Sequence, residues 1–206
     1  MKDEHVISTL EQLRELVPEA SENIKAKIVT HLGAIERQFI ERSPMLLLAT
    51  ANAKGEATVS PKGDAPGFVL IENDTTLVIP DRPGNGLAYG LTNLIESPQI
   101  GLLFVIPGST ETFRVEGRAE LTRDPALRAA LAARGKDATL AIRVHIRLCF
   151  FHCAKAFVRS SLWVQESWPE PFGFTWGRWA KQWYASSDDE ARDVDEFVAK
   201  DQRERL

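Results

Sequence analysis

Cysteine is scarce: two, Cys149 and Cys153, occur among 206 residues. On one strand they would share a face but stand roughly 13 Å apart, too far for a disulfide. His145 and His152 lie close by, yet the spacing fits no common zinc pattern and the segment lacks carboxylates, so no metal site is expected. An excess of either charge is also missing. Lys+Arg number 25 against Asp+Glu 29, a formal net charge of -4. With no basic stripe, a nucleic-acid partner is not expected. Apolar runs such as "GLLFVIPG" at Gly101–Gly108 fall far short of the roughly 20 residues of a membrane-spanning helix. The segment "MKDEHVISTLEQ" lacks the apolar core of a signal peptide. The expectation is a cytoplasmic protein that engages no membrane. No Ser-His-Asp or Cys-His arrangement stands out either, so no catalytic residue is assigned.

What is present is an ordinary globular composition, 44% hydrophobic and 26% charged. Val6–Leu16 and Ser21–Ile40 carry apolar residues at helical spacing. In the second, Ile24, Ile28, Leu32, Ile35 and Phe39 form one stripe behind Ser21 as N-cap. Ser43-Pro44 ends the helical region. Short strands are predicted at Met45–Ala51, Glu56–Ser60, Gly67–Glu72 and Thr75–Pro80, joined by compact turns as an antiparallel meander. Ile100–Ile106 and Glu111–Leu121 read as further strands. Asp124–Arg134 reads as a helix with a capping Asp and Pro at its first position. In Ala138–Cys153, Ile142, Val144, Ile146 and Leu148 alternate with Arg143, His145 and Arg147, giving one apolar and one polar face.

All five tryptophans (Trp163, Trp168, Trp176, Trp179 and Trp183) lie beyond Ser161, ahead of an acidic, helix-like run after Ser187. Such residues are more often core or interface payload than ring-stacking groups. The fold class is mainly β within α+β: a barrel of six or seven antiparallel strands with flanking helices, not a βαβ fold. Three regions follow: N-terminal helices packing on the barrel (1–44), the barrel (45–163), and a helical, Trp-rich C-terminal extension (164–206).

One segment, "DRPGNGLAYG", sets Arg82 on a Pro/Gly turn between a strand and a helix. A fixed cation with free backbone N–H groups at such a corner suits a bound phosphate. Turns also carry Arg for solubility alone. Lys62 at a strand end has both roles open in the same way. Lys155 and Arg159 share a helix face at i,i+4, with Trp163 one turn further; they could hold an anion or form an ordinary salt-linked surface. Arg114 and Glu116 lie on one strand face and could simply pair.

Taken in order, Arg82, Asn93 to Pro98, the strand Gly101–Ile106 and "RVEG" (Arg114–Gly117) resemble the flavin-binding core of the pyridoxamine 5'-phosphate oxidase superfamily. So do "SPKGDAPGF" (Ser60–Phe68) and "CAKAFVRSSLW" (Cys153–Trp163), which look like its FMN-dependent enzyme branch. The resemblance covers about Met45 to Trp163, and the order and spacing of the motifs carry it. It implies a split β-barrel, normally a homodimer holding FMN in two grooves at the subunit interface.

By the same resemblance, Arg82 takes the flavin-phosphate position, with Pro83 where a second cation is usual and Lys62 as its substitute. Ser60 and Pro61 would present backbone groups to the ring or ribityl chain. Asn85 would contact the phosphate, and Ile79 and Pro80 would line the isoalloxazine. Thr112 sits where the oxidases often have Gln, while Lys155, Arg159 and Trp163 would meet a substrate anion or the second subunit's flavin. The implied activity is FMN-dependent oxidoreduction of a small substrate. Alternatives are a non-catalytic flavin-storing module, or a split barrel using a deazaflavin or haem. The oxidases' C-terminal Arg-x-His segment has no match here, so pyridoxamine phosphate is not the expected substrate.

Overall fold

The computed structural model describes residues 5–84 and 86–205. Helices α1 (Leu10–Leu16), α2 (Glu22–Lys25) and α3 (Ala34–Arg42) come first. The strands are β1 (Met45–Ala51), β2 (Ala57–Gly63), β3 (Leu70–Asn73), β4 (Thr76–Asp81), β5 (Gln99–Val105), β6 (Thr112–Thr122) and β7 (Leu140–His152). Between them lie α4 (Tyr89–Glu96) and α5 (Pro125–Ala130); α6 (Lys155–Ser160), α7 (Trp176–Trp183) and α8 (Asp188–Arg205) follow. Among the described residues, no helix is long and apolar enough to cross a membrane.

All seven strands form one antiparallel sheet in the order β2-β1-β5-β6-β7-β4-β3. The two expected hairpins, β1–β2 and β3–β4, are present. Chain order is not spatial order, however, because β1 also pairs with β5 and β4 pairs with β7. The first hairpin is set by its turn: the Asn52 side-chain oxygen accepts the N–H groups of Lys54 and Glu56, both at 3.0 Å, and Gly55 takes the positive φ of +84°.

The sheet is rolled. In a flat sheet β2 and β4, first and sixth in the order, would stand roughly 24 Å apart. Instead Lys62 on β2 meets Asp81 on β4 at 2.6 Å, and Asp64 meets Arg82 at 2.9 Å. The pairing register supplies the stagger. Lys62 lies in a row with Leu46, Phe104, Phe113 and Phe151, whereas Asp81 lies opposite Leu140, eleven positions further back along β7. Tilted strands with such an offset close into a barrel. Its core gathers Leu46 and Leu48 from β1, Leu102 and Phe104 from β5, Phe113 and Val115 from β6, and Ile142 and Val144 from β7. Each such side chain contributes about 1.5–3 kcal/mol on burial.

Two expectations fail here for identifiable reasons. The single helix over Ser21–Ile40 is broken: Val29 is extended and exchanges backbone hydrogen bonds with Cys149 at 3.0 and 2.7 Å. β4 stops pairing at Thr76 opposite His145, so β7 beyond that point has an open edge, and Val29 fills it. Gly33 then caps α3, its N–H donating to Glu36 at 3.0 Å. The apolar stripe is therefore divided: Leu32 and Phe39 pack on the barrel, while Ile24, Ile28 and Ile35 stay exposed.

The alternation expected along β7 also holds only as far as Ile146. Glu116 faces Leu148 and Gly117 faces Ile146, so Arg147 is an extra residue. Past this bulge Cys149 and Phe151 take the inward positions, and Leu148 leaves the core. Gly117 is obligatory at that point, because a Cβ there would stand 2.1 Å from the His145 carbonyl oxygen.

At the C-terminal side, α7 and α8 form a hairpin. Gly177 brings them together: its N–H donates to Asp195 at 2.7 Å, and a Cβ would meet the Ala191 carbonyl oxygen at 2.2 Å. The opposite face of α7 leaves Trp176, Trp179 and Trp183 exposed. Lys136 and Arg205 tie the hairpin to the rest, donating across α8's end to Glu204 O at 2.9 Å and to Gly84 O at 3.0 Å respectively.

Candidate functional site

Barrel closure leaves a cleft of ≈ 210 Å³ between β2 and β4, lined by Pro61, Lys62, Pro80, Arg82 and Gly84 with Asp64 and Phe68. β2 runs on to Gly63, three residues beyond its expected end, so Ser60, Pro61 and Lys62 belong to the strand itself. Pro61 is tolerated because β2 is an edge strand and needs no donor on its free side. Thr58, Ser60 and Lys62 alternate toward the inner side of β2, and Val59 and Pro61 face outward. Asn93 locks α4 over this row by donating to Thr50 at 3.1 Å and Thr58 at 3.3 Å. That is the physical role of the Asn in the Asn-x-x-x-x-Pro spacing.

The cleft holds two cations and two carboxylates. Lys62 Nζ donates to Asp81, and Arg82 Nε donates to Asp64; the Asp side chains are only 11% and 12% exposed. Arg82 is tied to Asp64 through Nε, and its side chain remains 27% exposed. A hollow of ≈ 250 Å³ adjoins the pair on the side of Pro66, Gly67 and the end of α5.

The site residues expected from sequence fall into two groups. Pro61, Lys62, Pro80 and Arg82 share the cleft, with Ser60 on the same strand beside α4. Ile79 is completely buried and faces the core rather than the cleft. Asn85 lies outside the described residues. Elsewhere, Thr112 is buried at the start of β6 opposite His152. Lys155 and Arg159 are exposed on α6. Trp163 stacks on Phe157 with ring centroids 5.8 Å apart and donates Nε1 to Ser109 O at 2.7 Å.

Sequence reasoning missed Asp64 and Asp81, although both stand inside motifs singled out for their cations, "SPKGD" and "PDRPG". Arg114 does pair with Glu116, which also accepts from Arg147, and Arg114 lies over the Phe150 ring at 5.7 Å. Burial, with Arg114 and Lys27 adding to it, holds His152 below the usual imidazole range. Burial likewise pushes the Cys149 thiol up to about 11. Cys153, which accepts the Lys155 backbone N–H, is held below the usual thiol range. Both cysteines are free. Among the described residues, no group of three His, Cys, Asp or Glu side chains could hold a metal.

A family model described as pyridoxamine 5'-phosphate oxidase matches residues 35–153. The chain belongs to this family. The matched segment runs from α3 to Cys153 and so contains the whole barrel and the cleft, but neither α1 and α2 nor α6 to α8. Solved structures similar to the chain include HupZ from Group A Streptococcus, 18% identical with a TM-score of 0.49, covering 58% of this chain and 93% of that one. General Stress Protein 26 from Bacillus anthracis is 14% identical with a TM-score of 0.44, covering 56% and 88%. The FAD binding protein from Mycobacterium smegmatis is 17% identical with a TM-score of 0.42, covering 60% and 97%. A search of curated proteins found no match.

Proposed function

We propose that the chain is an FMN-binding oxidoreductase of the pyridoxamine 5'-phosphate oxidase family, acting as a homodimer on a small substrate. The observation that carries this reading is Arg82: Asp64 holds its Nε at 2.9 Å, so the paired terminal nitrogens remain for a phosphate in parallel, charge-assisted hydrogen bonds. Lys62 adds a second cation, since an ammonium has three N–H bonds and Asp81 takes one. The donor set thus fits a phosphate monoester. The cleft does not fit a whole flavin, because ≈ 210 Å³ is below the roughly 300–1,000 Å³ of ordinary ligand pockets. It suits the phosphate end, and the ring then needs another wall.

A second copy is the wall we favour. Met45, Leu47, Leu103 and Val105 point away from the core on the adjacent strands β1 and β5 and are only partly covered, while α7 presents its tryptophans. A partner would also bring Lys155 and Arg159, exposed on α6, and Trp163 of one copy toward the cleft of the other. When bound, the flavin supplies the redox chemistry. Arg82 and Lys62 would hold the phosphate, and Phe68, which lines the cleft, would cover its apolar side.

Absorbance and mass of whatever copurifies test the cofactor, and light scattering tests the dimer. FMN in the purified protein, or its uptake by apo-protein, is expected. A colourless monomer that takes up no flavin refutes the reading, and a chromophore with the mass of a deazaflavin or haem replaces it. NAD(P)H-driven turnover of the bound flavin separates an oxidoreductase from a storage module.

A further inference from the structure

We infer that Arg205, on α8, is a further anion-binding residue of the cleft, making the C-terminal hairpin part of the site. The inference rests on the flavin reading above and deepens it. The cleft cations Lys62 and Arg82 each give one N–H to a carboxylate, Asp81 and Asp64, so a phosphate entering there depends on the donors that remain. Pro83 has no N–H to offer, which takes one donor out of the turn next to Arg82. A further N–H donor beside the turn would offset that loss.

Arg205 supplies it. Its Nη1 donates to the carbonyl of Gly84 at 3.0 Å, and Gly84 lines the cleft. This contact joins segments 121 positions apart. As in Arg82, Nε is held by a carboxylate, here Asp201 at 3.1 Å one turn back on α8; unlike Arg82, Nη1 is already engaged by Gly84 O, so Nη2 is the donor left for an anion. Nothing stands within 4 Å of where a Cβ would sit on Gly84, so the turn has open space beside it. A C-terminal Arg paired at i,i+4 is ordinarily explained by the helix alone. The reach to Gly84 is not, because neither the helix dipole nor Asp201 requires it.

Titration of apo-protein with FMN and with riboflavin, which lacks the phosphate, tests the assignment. Arg205→Ala and Arg205→Gln should each weaken FMN about five- to tenfold and leave riboflavin unchanged. Arg203→Ala, a neighbouring exposed position on the same helix, should change neither. FMN should also slow amide hydrogen exchange over the last turns of α8 in wild type, and riboflavin should not. Unchanged FMN affinity in both Arg205 variants would overturn the inference while leaving the flavin reading intact. Equal weakening of FMN and riboflavin would overturn it too, by showing that Arg205 acts only through the fold. If wild type binds neither flavin, the flavin reading fails, and this inference fails with it.

Discussion

Replacing Arg82 by Ala removes two things at once, and the structure allows them to be told apart. In the proposed function the guanidinium is the fork that binds the phosphate, and a charge-assisted hydrogen bond contributes about 1.5–3 kcal/mol. FMN affinity should therefore fall roughly ten- to a hundredfold. The same guanidinium is the partner of Asp64, whose side chain is only 12% exposed. Exposed pairs contribute about 0–1 kcal/mol and fully buried ones cost about 3–5 kcal/mol to break. Stranding Asp64 at intermediate burial should cost about 1–3 kcal/mol of fold stability. The double variant Arg82→Ala/Asp64→Ala leaves no stranded charge, so it should recover most of that stability and none of the FMN affinity. Fluorescence titration of apo-protein with FMN and riboflavin, alongside urea denaturation, reads both quantities. If riboflavin weakens as much as FMN, or if the double variant recovers FMN binding, Arg82 is closing the barrel and not anchoring a phosphate.

Gly117→Ala should destabilise the barrel by at least about 3 kcal/mol, because the new methyl group meets backbone at the β7 bulge; an unchanged urea midpoint would contradict the bulge geometry. A thiol reagent at pH 8 should titrate one fast cysteine, Cys153, while Cys149 reacts only on unfolding. Because folding raises the Cys149 pKa to about 11, its contribution to stability is complete below the ordinary thiol value near 9 and is lost as pH rises through 11; Cys149→Ala should flatten that part of the stability profile. Pyridoxamine phosphate should not be oxidised faster than by free flavin, since residues 164–206 carry no Arg-x-His segment and the helices α7 and α8 lie there instead; pyridoxal phosphate production well above that background contradicts this.

Strand content was legible because alternation along β1, with Leu46 and Leu48 inward, is a local property of the chain. Spatial order was not. Nothing in residues 45–63 says that β1 takes β5 as its second neighbour, and nothing near Thr76 says that β7 will outrun β4. The broken helix follows from that long-range fact: Val29 and Leu32 satisfy helical spacing equally well, but an open strand edge claims Val29. The bulge at Arg147 is equally silent, because a single inserted residue leaves the apolar count of β7 unchanged and moves it only from Leu148 to Cys149 and Phe151. Gly117 was visible as part of a motif, but the reason for it belongs to the facing strand.

The site shows the same division, and it bears on why residue 82 is Arg. Arg82 and Lys62 could be found as cations on turns and strand ends, one segment at a time. Asp64 and Asp81 could not be assigned to them, since each ion pair crosses the seam that barrel closure creates. That seam must hold together with or without a ligand, so a residue serving both must bind its carboxylate and a phosphate simultaneously. A guanidinium can do this with separate edges, Nε bound to Asp64 and the terminal nitrogens offered to the phosphate. A lysine at 82 would present a single point charge to both anions. Arg82→Lys should therefore keep most of the fold stability, with the ammonium drawn to Asp64, and lose most of the FMN affinity lost in Arg82→Ala. Affinity of Arg82→Lys close to wild type would mean that charge alone suffices and that the two-edged geometry is irrelevant.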